Sequence, residues 1–230
     1  MLGRLRQEFP DVDLDRYVLF ATLRTFDDLA AGPCSEMVYV HSKLLIVDDR
    51  VAVVGSANVN DRSMRGDRDT ELGVVVDAPE SVKKLRTRLW RAHLGMAPRE
   101  ADGGLAVDVR PHQRRWDRSL EDPSNLDTWR DVVDCARTNS ALVEAAFDLA
   151  AWDDVATLED AKASLGLGRV SKRVAGKPGS EMRAAEERAV RNTLERVRGD
   201  LCALPERFLH GESLEPGVLA RLFVGRRLFQ

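Results

Sequence analysis

An α/β fold is predicted by three observations. Apolar runs with strand character recur between residues 16 and 76, the period changes to helical spacing after Asp77, and two long helical patterns occupy 127–150 and about 180–199. In chain order, residues 1–15 read as a short helix end followed by a polar turn. RYVLFATL (16–23) is an apolar, β-rich run and predicts a buried strand. Residues 24–36 contain Asp-Asp, Gly-Pro and Ser, and predict a loop. MVYVHSKLLIV (37–47) is the strongest strand pattern of the chain. Asp48-Asp49-Arg50 predicts a tight turn, and VAVVG (51–55) returns antiparallel to the strand before it. The polar stretch 56–69 predicts a loop and ELGVVV (71–76) a further strand.

The helical half follows. Asp77 is placed to cap a helix with Pro79 in its first turn. Val82, Leu85, Leu89 and the Trp90/His93 pair form its inward stripe, and Gly95 stops it. Residues 96–124 look irregular. The pattern at 180–199 is highly charged, with Glu/Arg pairs at i,i+4 that suit a solvated face. Residues 166–180 read as a basic, Gly-rich linker.

With 230 residues, 43% hydrophobic and 32% charged, the chain has the composition of a globular protein with a real core. The net charge of −3 excludes a global positive field that would draw it onto nucleic acid. Cys34, Cys135 and Cys202 are odd in number and far apart, so neither a zinc site nor a disulfide framework is implied. No apolar run approaches the roughly 20 residues of a membrane span, and the N-terminus lacks an apolar signal region. The expectation is a cytoplasmic protein with at most peripheral membrane contact.

One constellation carries chemistry. His41 and Lys43 are two apart on the predicted strand and so project from one face. Asp48 ends that strand. Ser56 and Asn58 follow the returning strand after Gly55, and Glu71 opens the next one. A neutral imidazole can attack phosphorus or move a proton. Lys43 and Asn58 can hold non-bridging phosphate oxygens where charge develops. Ser56 can donate to an oxygen, and Glu71 is the candidate carboxylate to orient the imidazole ring. No cofactor or metal is called for, since cations and polar donors do the charge work. Taken singly these features are weak: His-x-Lys on a strand, an acidic turn and a Gly-Ser loop are all common. The joint pattern H-x-K-x(4)-D-x(6)-G-S-x-N is far more specific.

That pattern is the HKD signature of the phospholipase D superfamily. VHSKLLIVDDRVAVVGSANVNDRSMRGDRDTELGVVV is similar to the second, C-terminal HKD block of eukaryotic-type phospholipases D. RYVLFATLRTF resembles the strand that precedes the block, and LCALPERFLHGESLEP resembles the family's C-terminal Pro-x-x-Phe-Leu segment. The likeness is dense over about 16–95 and thinner to about 216; 160–200 and the final LARLFVGRRLFQ depart from it. The resemblance implies one half of an αβα sandwich with a mixed sheet flanked by helices. Residues 1–125 would form the HKD half-domain and 126–230 a helical extension of the same unit. It implies hydrolysis of phosphatidylcholine-like lipids to phosphatidate and a free alcohol through a phosphohistidine. It also assigns Asp48 a structural more than a chemical part.

The family uses two HKD motifs. None of the other three histidines, His93, His112 and His210, begins a second one, so the missing half is expected from elsewhere. Two rival expectations remain, a homodimeric HKD nuclease and a silent fragment acting as an interaction module; the acidic balance and the NDRSM block disfavour nucleic acid. Lys83, Lys84, Arg86, Arg88 and Arg91 read as an ordinary basic helix face in preference to an anionic-lipid patch.

Overall fold

The structure, a computed structural model, describes residues 2–29, 32–96, 120–147, 155–160, 181–205, 208 and 210–212. The sequence expectations for the linker 166–180, for most of 96–124 and for the C-terminal tail lie outside the described residues. The chain divides into two compact units, Met1–Asp148 with Val174–Leu204, and Leu149–Arg173 with Pro205–Gln230.

The first unit is α/β. After helix α1 (Leu2–Glu8) and a 3-10 turn at Leu14–Arg16 come β1 (Ala21–Leu29), β2 (Gly32–Val38), β3 (Lys43–Val47) and β4 (Val51–Gly55). Then follow the short helix α2 (Asp61–Met64), β5 (Gly73–Asp77), α3 (Pro79–His93), α4 (Leu126–Phe147), α5 (Glu181–Leu194) and β6 (Leu201–Ala203). The strands form two three-stranded sheets, ordered β2-β1-β6 and β3-β4-β5. Every described pairing is antiparallel, where a mixed sheet was expected.

Three strand expectations change. The run 16–23 is strand only from Ala21: Leu14–Arg16 is a 3-10 turn, and Tyr17 and Phe20 are exposed. Residues 24–29 and 32–36 are strand and not loop: β1 and β2 pair from Leu23 opposite Val38 to Leu29 opposite Gly32. Backbone pairing holds this polar stretch extended, which side-chain pattern cannot reveal. The run 37–47 is not one strand but two. β2 belongs to the first sheet and β3 to the second, and residues 39–42 carry the chain between them.

α4 provides the largest single share of the core among the described residues. Asn125 caps it, its side chain accepting the Asp127 and Thr128 N–H groups at 2.9 and 3.2 Å. Thr128, Val132, Ala136, Asn139, Val143 and Phe147 are buried at helical spacing. The helix packs on β6 and α5 within this first unit. Asn139 is a buried amide with its polar groups paired. It donates to the carbonyls of Arg198 and Leu201 at 2.7 and 2.8 Å and accepts the Arg198 N–H at 3.0 Å. That grip fixes the entry into β6. Leu94, Met96, Leu120 and Val132 cluster, with Trp90 and Leu201 against them. The three cysteines form no disulfide, and burial pushes the Cys202 thiol up to about 11.

α3 begins with Pro79 at its first position, as expected, but Ala78 rather than Asp77 is the N-cap and supplies no side-chain bond. Gly95 ends it at φ +69°. Its backbone meets that of Gly199, also at φ +69°; a Cβ on Gly199 would sit 2.1 Å from the His93 carbonyl. His93 seals this contact through Nδ1 to Asp200 at 2.9 Å. The inward stripe of α3 uses Val82 and Arg86; Leu85 is exposed. The basic face is thereby reduced. Arg86 is buried, Lys83 is paired with Glu121 at 2.8 Å, and Lys84 and Arg88 remain exposed.

In the second unit, the Thr157 hydroxyl and N–H both donate to Asp160 (2.7 and 2.9 Å), and Asp160 N–H returns to Thr157 Oγ1 at 3.1 Å. This reciprocal capping starts a helical segment at Leu158. Glu212 accepts the Leu158 N–H at 2.7 Å, and Gly211 donates to the Ala156 carbonyl at 2.9 Å.

Candidate active site

The β3–β4 hairpin organises the candidate residues, and its two ends differ. At the closed end, Asp48 and Asp49 both take positive φ (53° and 54°), and Arg50 N–H donates to the Val47 carbonyl at 2.9 Å. This is a tight turn of the kind that short polar side chains tolerate. Asp49 is bound by Arg86 through two parallel bonds, Nε to Oδ1 at 2.8 Å and Nη2 to Oδ2. The same guanidinium donates to the Leu120 carbonyl at 2.5 Å and lies over the Trp90 ring at 5.3 Å. The turn is thus pinned to α3 by a two-point charge pair between the buried Arg86 and the half-buried Asp49.

At the open end, Lys43, Gly55 and Gly73 stand opposite one another across the sheet. A Cβ on Gly55 would lie 2.7 Å from the Leu72 carbonyl, so the close approach of β4 to the entry of β5 requires glycine. Just beyond, Ser56 N–H donates to the Leu72 carbonyl at 2.9 Å, and Ser56 Oγ accepts the Leu72 N–H at 3.0 Å. The Ser56 hydroxyl donates to the Glu71 carboxylate.

His41 lies in the 39–42 connector rather than on a strand, so the alternation argument applies to Lys43 alone. Lys43 Nζ turns back to the His41 carbonyl at 2.5 Å, which holds the two residues together by another route. The His41 ring is exposed and stacks on Tyr39, with centroids 6.2 Å apart and planes at 25°.

Glu71 does not take the expected position. The Ser56 hydroxyl donates to it, the Ser63 hydroxyl acts on its carboxyl as well, and among the described residues no bond joins it to the His41 ring. Those hydroxyls, Ser56 first, hold its carboxyl below the usual carboxylate range, and the charges of Lys43 and Arg62 act in the same direction. Glu71 therefore carries full negative charge beside Lys43 at neutral pH.

Asn58 is exposed, with its N–H held by Ser63 Oγ at 3.0 Å. Its side-chain amide makes no hydrogen bond among the described residues. The structure thus gathers His41, Lys43, Ser56, Asn58 and Glu71 near one end of the sheet. Asp48 is five strand residues from Lys43, roughly 16 Å at 3.3 Å per residue. Ser63 was missed by sequence reasoning; its signal was the spacing Asn60-x-x-Ser63, a helix N-cap pattern.

Residues 21–113, which contain all six candidates, match the phospholipase D family profile. The chain belongs to the phospholipase D superfamily. Phospholipase D B of Dictyostelium discoideum is 39% identical over 162 residues, 64% of this chain and 12% of that protein. Human phospholipase D1 is 31% identical over 234 aligned positions, covering 95% of this chain and 19% of that protein. Phospholipase D zeta 1 of Arabidopsis thaliana is 29% identical over 220 positions, 87% of this chain and 19% of that protein. The superfamily member described here thus spans about a tenth to a fifth of the length of these relatives.

Proposed function

We propose that this chain supplies the second HKD motif of a phospholipase D that hydrolyses phosphatidylcholine-like lipids to phosphatidate and the headgroup alcohol. The observation that carries the reading is the exposed grouping of imidazole, ammonium, hydroxyl and amide at the open end of the hairpin.

In this reading a histidine from the other half attacks phosphorus and the P–O bond to the headgroup breaks. His41 gives its proton to the departing alkoxide. His41 then takes a proton from water as that water attacks the phosphohistidine, which releases phosphatidate and restores both histidines. Lys43 and Asn58 bind the non-bridging oxygens, where the transition state gathers charge. Glu71 holds the Ser56 hydroxyl and balances Lys43. No step calls on a cofactor.

The second sheet supports the need for another half. Leu45, Val47 and Val75 are exposed on one face and Leu44, Val54 and Val74 on the other. A sheet apolar on both faces is one built to be covered on both. The covering layer in this reading is the other HKD half. The reading also puts the protein in the cytoplasm, meeting lipid at a membrane surface; no helix among the described residues is long and apolar enough to cross one.

The test is reconstitution. Completed with a first HKD half, the chain should hydrolyse a short-chain phosphatidylcholine, while a proven monomer of this chain should not. Turnover by the monomer would overturn the bipartite reading. Cleavage of DNA and not of lipid would move the substrate to nucleic acid.

A further inference from the structure

The sixteen residues from Ser56 to Glu71 contain one regular element, the four-residue helix α2. A segment this long needs ties if it is to hold functional groups in fixed geometry, because each residue ordered costs conformational entropy. Its ends are tied by Ser56, Leu72 and Glu71. Its middle is tied by Ser63. Asn60 caps α2 by accepting the Ser63 N–H at 3.0 Å. This places the Ser63 hydroxyl back over the start of the segment, where it accepts the Asn58 N–H at 3.0 Å. A hydroxyl that accepts in this way keeps its own proton to donate, and the Ser63 hydroxyl acts on Glu71, whose carboxyl it helps to hold below the usual range. The hydroxyl hydrogen-bonded to Glu71 is that of Ser56, whose Oγ in turn accepts the Leu72 N–H.

We infer that Ser63 is a positioning residue of the site: through its hydroxyl it locks the Asn58 backbone to the Glu71 carboxylate, and so sets where the Asn58 amide and the Ser56 hydroxyl present themselves. Ser63 acts through Asn58 and Glu71; the groups facing the phosphate are those of His41, Lys43 and Asn58. What Ser63 positions rests on the phosphodiesterase reading, whereas the hydrogen-bonded link itself does not. A local capping role alone would need only the Ser63 N–H, which every residue but proline supplies. The link requires the side-chain hydroxyl.

The experiment has two arms. In the first, the Glu71 carboxyl is titrated by NMR in this chain. Ser63→Ala should raise its midpoint toward the ordinary glutamate value, and Ser63→Thr, which keeps the hydroxyl, should bring it back down. In the second, the reconstituted enzyme acts on a soluble short-chain phosphodiester. Ser63→Ala should lower kcat about 10- to 100-fold with KM little changed, since small displacements of preorganised groups are costly. Ser63→Thr should restore most of the loss. If Ala and Thr variants lose activity alike, or if the Glu71 midpoint ignores Ser63→Ala, the inference fails. If the titration behaves as expected but no phosphodiester is cleaved by the wild type, it is the functional reading that fails and the link stands.

Discussion

The two ends of the β3–β4 hairpin share five paired rows of backbone and almost nothing else. The closed end is anchored and saturated: a half-buried Asp49, the buried Arg86, Trp90 and the Leu120 carbonyl satisfy one another. The open end is exposed: among the described residues the Asn58 amide makes no side-chain hydrogen bond, and the His41 ring stacks on Tyr39. Arginine and carboxylate at the closed end resemble catalytic machinery in kind, yet they hold a turn. The same chemical types at the open end face outward and can meet a ligand. Which end a residue occupies, more than its type, divides structural from chemical work here.

The comparison can be broken by substitution. The largest stability effect is expected at the closed end. Arg86→Ala removes a buried side chain and strands a half-buried Asp49 carboxylate, and should cost about 3 kcal/mol in denaturant unfolding, the low end for breaking a buried pair. Lys43→Ala at the open end should leave the unfolding midpoint nearly unchanged and lower the rate of the reconstituted enzyme by roughly 10²–10³. Similar stability losses from both would erase the distinction. Gly55→Ala sits between the two, because its Cβ would press on the Leu72 carbonyl. It should cost about 1–3 kcal/mol and also impair activity.

Acid provides a smaller, sharper probe. The folded chain holds the Glu71 carboxyl low, so the folded state favours its ionised form. The stability it contributes is present above the ordinary glutamate range and is lost as pH falls through the lower folded value. Ser56→Ala should flatten that part of the stability–pH curve, and an unchanged curve would remove Ser56 as the principal partner. The smallest effect is expected at Asp48. Glycine adopts its left-handed conformation freely, so Asp48→Gly should change both stability and rate by little.

Much of this was legible in the sequence because local chemistry decides it. The Asp-Asp turn, β4, the stop at Gly95 and the helix over 126–147 follow from turn residues, apolar runs and helical spacing. The residue types of the site were legible because His41, Lys43, Ser56 and Asn58 are close in sequence. What escaped depends on partners remote in the chain. The polar strands of the β1–β2 hairpin are held by backbone pairing. The break at 39–42 arises because β2 and β3 join different sheets. Arg86 was read as a basic surface residue because its partner, Asp49, lies 37 positions away. Asn139 looked unremarkable until Arg198 and Leu201, about 60 positions on, met its amide. Triad logic pairs Glu71 with the His41 ring, whereas the Ser56 hydroxyl is what donates to it.

The account stands or falls on His41 as the acid and base of a two-step transfer. The most direct measurement is nitrophenol release by His41→Ala, in the enzyme completed with its other half, from a nitrophenyl phosphodiester whose leaving group needs no protonation. A burst of about one equivalent followed by a stall is predicted, because the phosphoenzyme forms but no base activates water. Steady turnover after the burst would contradict the account, and the absence of any burst would make His41 the nucleophile instead.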